Sequence, residues 1–153
     1  MGFFDGYNVA TSGMSAQRTR INTVSSNIAN AQTTHSADGG PYKKQNVVFE
    51  EILLDSQNKA SNGSFDTQSK TDNNIKPVGV GVKEIVDAKG KPIMRYEPSH
   101  PDANKDGYVA YPNINPVIEM TDLMEAMRSY EANLSAFQTQ KSMDTKTIDI
   151  LKG

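Results

Sequence analysis

The sequence predicts a mainly α fold with a small β element: long N- and C-terminal helices packed as an α-helical coiled coil, with a central β-hairpin and an extended loop. Three observations predict it. No proline stands between Phe3 and Ala31, where apolar or small residues recur at heptad spacing. A second heptad pattern occupies the end of the chain. Between them lie turn residues and short β-branched runs, with no third helical pattern.

The first heptad stripe runs through Phe3, Tyr7, Ala10, Met14, Ile21, Val24, Ile28 and Ala31, with Gln17 as its one polar member. Its other faces carry Asn8, Thr11, Ser12, Ser15, Thr19, Asn22, Thr23, Ser25, Ser26 and Asn27, and Gly6 and Gly13 lie inside it. These are weak helix formers. The pattern therefore asks for a helix that needs a partner surface, and the free subunit is expected to order this segment only on assembly.

At the other end, Asn115 is placed to cap a helix, Pro116 suits its first position, and Glu119 and Asp122 lie near the positive end of its dipole. Met120, Leu123, Met127, Tyr130, Leu134, Phe137, Ile148 and Leu151 share one seam, broken by Lys141 and Asp144. Met14, Ile21, Val24 and Ile28 are expected to face Met120, Met127, Leu134 and Phe137 across the coiled coil, with Lys141 and Asp144 exposed or turned to a partner.

The centre reads as extended structure. Gln45 to Asp55 fits a strand or a short amphipathic helix, and periodicity leaves both open. Ser56 to Asn74 contains only Ala60 and Phe65 as hydrophobic residues and reads as a long polar loop. Val78 to Val86 and Pro92 to Tyr96 flank a turn at Asp87 to Lys91, which predicts a hairpin of these two runs. The expected divisions are an N-terminal helix over 3–34, a linker and polar loop over 35–77, a β element over 78–114 and a C-terminal helix over 115–152.

Composition narrows the function classes. The 153 residues suit one domain, and hydrophobic residues make up 36%. That leaves little material for a private core. A net charge of −2 gives no basic footprint for nucleic acid or an anionic membrane. With no cysteine there is no disulfide, no thiolate nucleophile and no thiolate zinc site. The opening residues form no cleavable secretory signal, and no apolar run spans a bilayer.

The sharpest chemical motif is Asp102-Ala103-Asn104-Lys105-Asp106-Gly107, which follows the ligand spacing that opens an EF-hand calcium loop. Position twelve of that frame is Asn113 instead of a bidentate Glu, and Pro98, Pro101 and Pro112 oppose flanking helices. A calcium-dependent binding module over Asp102 to Asn113 is the alternative reading, set against a turn whose side chains bond their own backbone. His35 and His100 stand in no metal-ligand spacing, and Gly79-Val80-Gly81 is too short for a phosphate loop. Tyr96, Tyr108 and Tyr111 read as packing residues of the β element. No catalytic constellation, cofactor or metal is expected, which favours an assembly subunit over an enzyme.

Ser26-Asn27-Ile28-Ala29-Asn30-Ala31-Gln32-Thr33-Thr34, preceded by Gly13-Met14-Ser15-Ala16-Gln17-Arg18, resembles the N-terminal signature of bacterial flagellar rod and hook proteins. The block Tyr96 to Val109, continued by Pro112 to Asn115, Glu119-Met120 and Arg128-Ser129-Tyr130-Glu131-Ala132-Asn133, is similar to the short proximal-rod members of that superfamily. The likeness covers the two ends and leaves out Ser56 to Asn74, a stretch that looks longer than the family's linker. Asn27, Asn30, Thr33, Thr34, Glu131, Ala132 and Asn133 match its signature positions. The resemblance implies a structural subunit of a periplasmic rod that transmits torque for motility. It implies contacts with itself, other rod proteins and the adaptor linking the rod to the MS ring. It further implies transit through the flagellar type III export apparatus without a cleavable signal peptide; from charge and hydropathy, no nucleic acid partner and no direct membrane insertion are expected. A surface adhesin or secreted effector is the third reading.

Overall fold

The computed structural model describes residues 5–36, 39–54 and 78–152. Phe3 of the first stripe and the polar stretch Ser56 to Asn74 lie outside the described residues. Two helices, α1 (Asp5–Ala29) and α2 (Pro116–Lys152), enclose four strands: β1 (Gln45–Leu53), β2 (Val78–Asp87), β3 (Ile93–Tyr96) and β4 (Tyr108–Tyr111).

α1 holds despite its polar composition because its hydroxyls find partners one turn back. Thr19 Oγ1 donates to the Ser15 carbonyl and Thr23 Oγ1 to the Thr19 carbonyl. It closes on its own signature: Asn30 Nδ2 donates to the Ser26 carbonyl and Thr33 Oγ1 to Asn30 Oδ1. Ala31 therefore falls in the turn after the helix, beyond the stripe it was expected to extend. α2 starts as its sequence specifies, with Asn115 Oδ1 accepting the Val117 N–H at 3.0 Å.

The strands pair differently from the expected hairpin. β2 runs antiparallel to β1, with Gln45 opposite Asp87 and Leu53 opposite Val78, and a bulge beside Val48 and Phe49. β3 pairs instead with β4, with Ile93 opposite Tyr111 and Tyr96 opposite Tyr108. Within the run Gln45 to Asp55, whose periodicity fits strand or helix, Gln45–Leu53 is thus a strand and the true partner of Val78 to Asp87. Loop-closure entropy grows only with the logarithm of length, so a longer connection costs little against nine paired residues. The Tyr96 and Tyr108 rings meet edge-on at 5.3 Å.

The helices pack antiparallel. The Tyr7 ring meets Phe137 edge-on at 5.0 Å, Arg20 reaches Asp122 and Glu125 at 3.8 and 3.9 Å, and Asn27 bonds Glu119. Between these points Gly13 lies against Asn133: a Cβ at Gly13 would sit 2.8 Å from Asn133 Nδ2. Seen along the axis, Gly6, Gly13, Arg20 and Asn27 recur every heptad on α1, and Gln140, Asn133, Ala126 and Glu119 recur in step on α2.

This contact corrects the expected seam. Tyr7, Val24, Leu123, Tyr130 and Phe137 do turn inward or stand half-buried. Met14, Ile21 and Ile28 flank the contact and stay half-buried, while Met120, Met127 and Leu134 are 52%, 47% and 36% exposed. The positions one residue away, Glu119, Ala126 and Asn133, take the inner place. Small residues allow the closer helix approach, so the seam selects Gly13 and Ala126 and leaves the long apolar side chains outside. Asp144 also departs from expectation: its carboxylate accepts the Tyr7 hydroxyl at 2.5 Å, inside the subunit, whereas Lys141 is exposed.

Among the described residues the fully buried hydrophobics are Ala10, Ala16, Val24, Val109, Ile114 and Ala126. Glu119 and Asn27 are as deeply buried as Val109. Gln17 Oε1 is buried in the structure with no hydrogen-bond partner. The interior is small and its largest members are polar.

Candidate assembly interface

Asn27 organises the junction of three elements. Its side chain is wholly buried, and its Nδ2 donates to the Gln45 carbonyl at 2.8 Å and to Glu119 Oε2 at 3.1 Å. Its Oδ1 accepts the Gln45 N–H at 2.9 Å and the Tyr42 hydroxyl at 3.1 Å. All four hydrogen-bonding places of the amide are filled. Toward Gln45 it behaves as a strand neighbour, supplying both a donor and an acceptor to one residue's backbone at the start of β1.

Glu119 completes the node. Its carboxylate is 1% exposed, and Oε1 lies 2.6 Å from Lys44 Nζ. A carboxylate this deep is tolerated because a cation and an amide both serve it. The Tyr42 hydroxyl pKa is raised, first by burial, against a bond with Ser26 that lowers it, and further by the nearby Asp87 and Glu119 charges. The node ties the end of α1, the start of β1 and the first turn of α2 into one body.

The remaining signature positions divide into two groups. Asn30 and Thr33 close α1, and the Thr34 hydroxyl donates to Asp102 Oδ2 at 2.7 Å, fastening the loop between β3 and β4. Asn133 packs into the space left by Gly13, while Glu131 and Ala132 are exposed on α2. In the calcium-like segment, Asn104 Oδ1 accepts the Asp106 and Tyr108 N–H groups, and Gly107 adopts a φ of 79° beneath the Tyr96 ring. Asp102 and Asn104 are thereby engaged in structural bonds. Among the described residues no group of three or more His, Asp or Glu stands together to hold a metal.

α2 exposes many apolar side chains: Val117, Met120, Met124, Met127 and Leu134 fall on one stripe beside the contact with α1, and Ile118, Met143, Ile148, Ile150 and Leu151 are exposed elsewhere along it, the last two about 80%. Ile148 and Leu151, expected in the seam, stand beyond the reach of α1's contacts near Asp144.

Comparison with known proteins places this geometry. Residues 8–34 match the family model for the flagella basal body rod protein, and residues 105–150 match that for the C-terminal part of flagellar basal body rod FlgEFG proteins. The flagellar basal-body rod protein FlgC of Borreliella burgdorferi is 41% identical over 157 residues, covering 100% of both chains. The chain belongs to the FlgC family of flagellar basal-body rod proteins. The FlgC proteins of Aquifex aeolicus and Salmonella typhimurium are 38% and 33% identical, each with at least 98% of both chains covered.

In this FlgC-family chain, sequence reasoning found Asn27 as a signature residue and missed its partners. The sequence shows Glu119 as a helix-dipole carboxylate and as part of the C-terminal likeness, not as a buried partner of Asn27, and it does not single out Lys44 or Tyr42. The available signal was the matching heptad recurrence of small and polar residues on both helices.

Proposed function

We propose that this subunit builds the proximal part of the rod, packing against copies of itself, other rod proteins and the adaptor that joins the rod to the MS ring. It acts as a structural element of the torque-transmitting shaft, with no catalysis of its own, and it reaches the periplasm through the flagellar type III export apparatus. The observation that carries this reading is the exposed apolar face of α2 on a subunit whose own interior is small and polar. An exposed apolar face of that kind marks a surface for protein–protein contact. Met120, Met127, Leu134, Ile148 and Leu151 are its contact residues toward neighbours, and Glu131 and Ala132 accompany them.

The test is incorporation. Leu134 is partly exposed in the subunit, so Leu134→Asp leaves the fold intact and places a carboxylate where a neighbour's apolar side chains pack. Wild-type chain should co-purify with detergent-extracted basal bodies, and the Leu134→Asp chain should be exported yet absent from them. A motile strain with normal basal-body content of the variant contradicts the assignment of this face.

A further inference from the structure

We propose that the seam between α1 and α2 supports two registers one heptad apart, and that Asn27, Glu119 and Lys44 together lock the one seen here. The proposal rests on the subunit's own geometry and not on its place in the rod. In the present register Gly13 meets Asn133 and Asn27 meets Glu119. Gly6 meets Gln140, with a Cβ at Gly6 coming no nearer than 3.5 Å to that side chain.

Sliding α2 by one heptad, about 10 Å along the axis, toward the start of α1 brings a second set of compatible pairs. Gly6 then faces Asn133, a pairing of glycine with asparagine already present at Gly13. Gly13 faces Ala126, and Arg20 faces Glu119. The last pair matters most, because the buried carboxylate exchanges an ammonium partner for a guanidinium that here makes only long contacts of 3.8 and 3.9 Å to Asp122 and Glu125. The opposite slide has no such merit: it sets Arg20 against Asn133 and Asn27 against Ala126. Nor is the present register enforced by a saturated seam, since Gln17 Oε1 is buried without a partner.

The node fixes the observed register at the end of α1, while the Tyr7 bond to Asp144 holds the far end of the seam. Asn27 and Lys44 belong to the body formed by α1 and β1, held together by both bonds of Asn27 to Gln45. Glu119 is the one residue of α2 that this pair holds. Removing Lys44 leaves Glu119 buried without a cation, and the slide supplies Arg20 in its place. Asn27 and Lys44 thus act as positioning residues for the whole of α2. Ratcheting of one packed element past another by whole turns is a known form of switching transition.

The chain has no cysteine, so engineered pairs report register cleanly. Gly6→Cys with Gln140→Cys reads the observed register, and Gly6→Cys with Asn133→Cys reads the shifted one. Both pairs are oxidised in the purified full-length chain and in basal bodies, and cross-linked monomer is scored by gel mobility. With the node intact, only the first pair should close. Adding Lys44→Met, or independently Asn27→Ala, should move cross-linking to the second pair, and further addition of Arg20→Gln should abolish that gain. If the first pair fails to close with the node intact, the proposal is overturned. It is likewise overturned if the node variants keep the first cross-link or lose both.

Discussion

Asn27 Nδ2 lies 3.1 Å from Glu119 Oε2, so a single buried bond joins the end of the first helix to the first turn of the last. Lys44 stands on the other oxygen of the same carboxylate. With Arg20→Gln also present, so that no guanidinium can replace the ammonium, Lys44→Met strands a buried charge and should cost about 3 to 5 kcal/mol. Adding Glu119→Gln removes that charge and should recover much of the loss, a strong non-additivity measurable by denaturant unfolding. Equal, additive losses would show that the pair is not coupled.

Gly13 and Asn133 form a second coupled pair. A methyl at Gly13 enters the 2.8 Å space before Asn133 Nδ2, so Gly13→Ala gains up to about 1 kcal/mol of helix propensity and loses about 1 to 3 kcal/mol to overpacking. The net effect should be mildly destabilising. In an Asn133→Ala background the same change should become stabilising, and thermal unfolding of the four chains checks the reversal.

Tyr7 gives a pH signature. Its hydroxyl pKa is pushed from the ordinary 10 up to about 12, chiefly because it donates to Asp144, with burial and the carboxylate's charge adding to the shift. The folded state therefore holds the proton more tightly than the unfolded one. Its contribution is complete below pH 10 and is lost as pH rises from 10 through about 12. Protection of the first turns of α1 against hydrogen exchange should fall over that window, after correction for intrinsic exchange. Tyr7→Phe should remove this step.

The small interior predicts how the free subunit behaves. α1 fully buries only Ala10, Ala16 and Val24 among its hydrophobic residues, and its other faces are rich in Ser, Thr and Asn. We expect its amides to be far less protected in dilute monomer than in assembled rods. Strong protection already in the monomer would make it a self-contained helical domain.

The helices were legible in the sequence because heptad spacing and caps are local signals. Asn115 and Pro116 begin α2 as read, and α1 contains no proline. Strand partners were not legible: Val78 to Asp87 lies close in sequence to Ile93, yet pairs with Gln45 to Leu53, which is a choice made by side-chain packing across a long connection. The seam was legible to within one residue. Two adjacent stripes on each helix share Val24, Leu123, Tyr130 and Phe137, and apolar counting favoured Met120, Met127 and Leu134 for the inner place. Close packing favoured Glu119, Ala126 and Asn133 instead, because Gly13 and its neighbours let the helices approach. Seen this way, the leftover methionines are the surface that the proposed assembly assigns to neighbours.

That claim has a direct measurement. Met120, Met124 and Met127 are each about half exposed in the subunit, and a thioether reacts with dilute peroxide only where solvent reaches it. Free subunit and intact basal bodies are treated in parallel, and sulfoxide at each methionine is quantified by mass spectrometry. The account predicts rapid oxidation of all three in the free subunit and strong protection in basal bodies. Equal oxidation in both would contradict it, since the outer face of α2 would then remain open to water in the assembled rod.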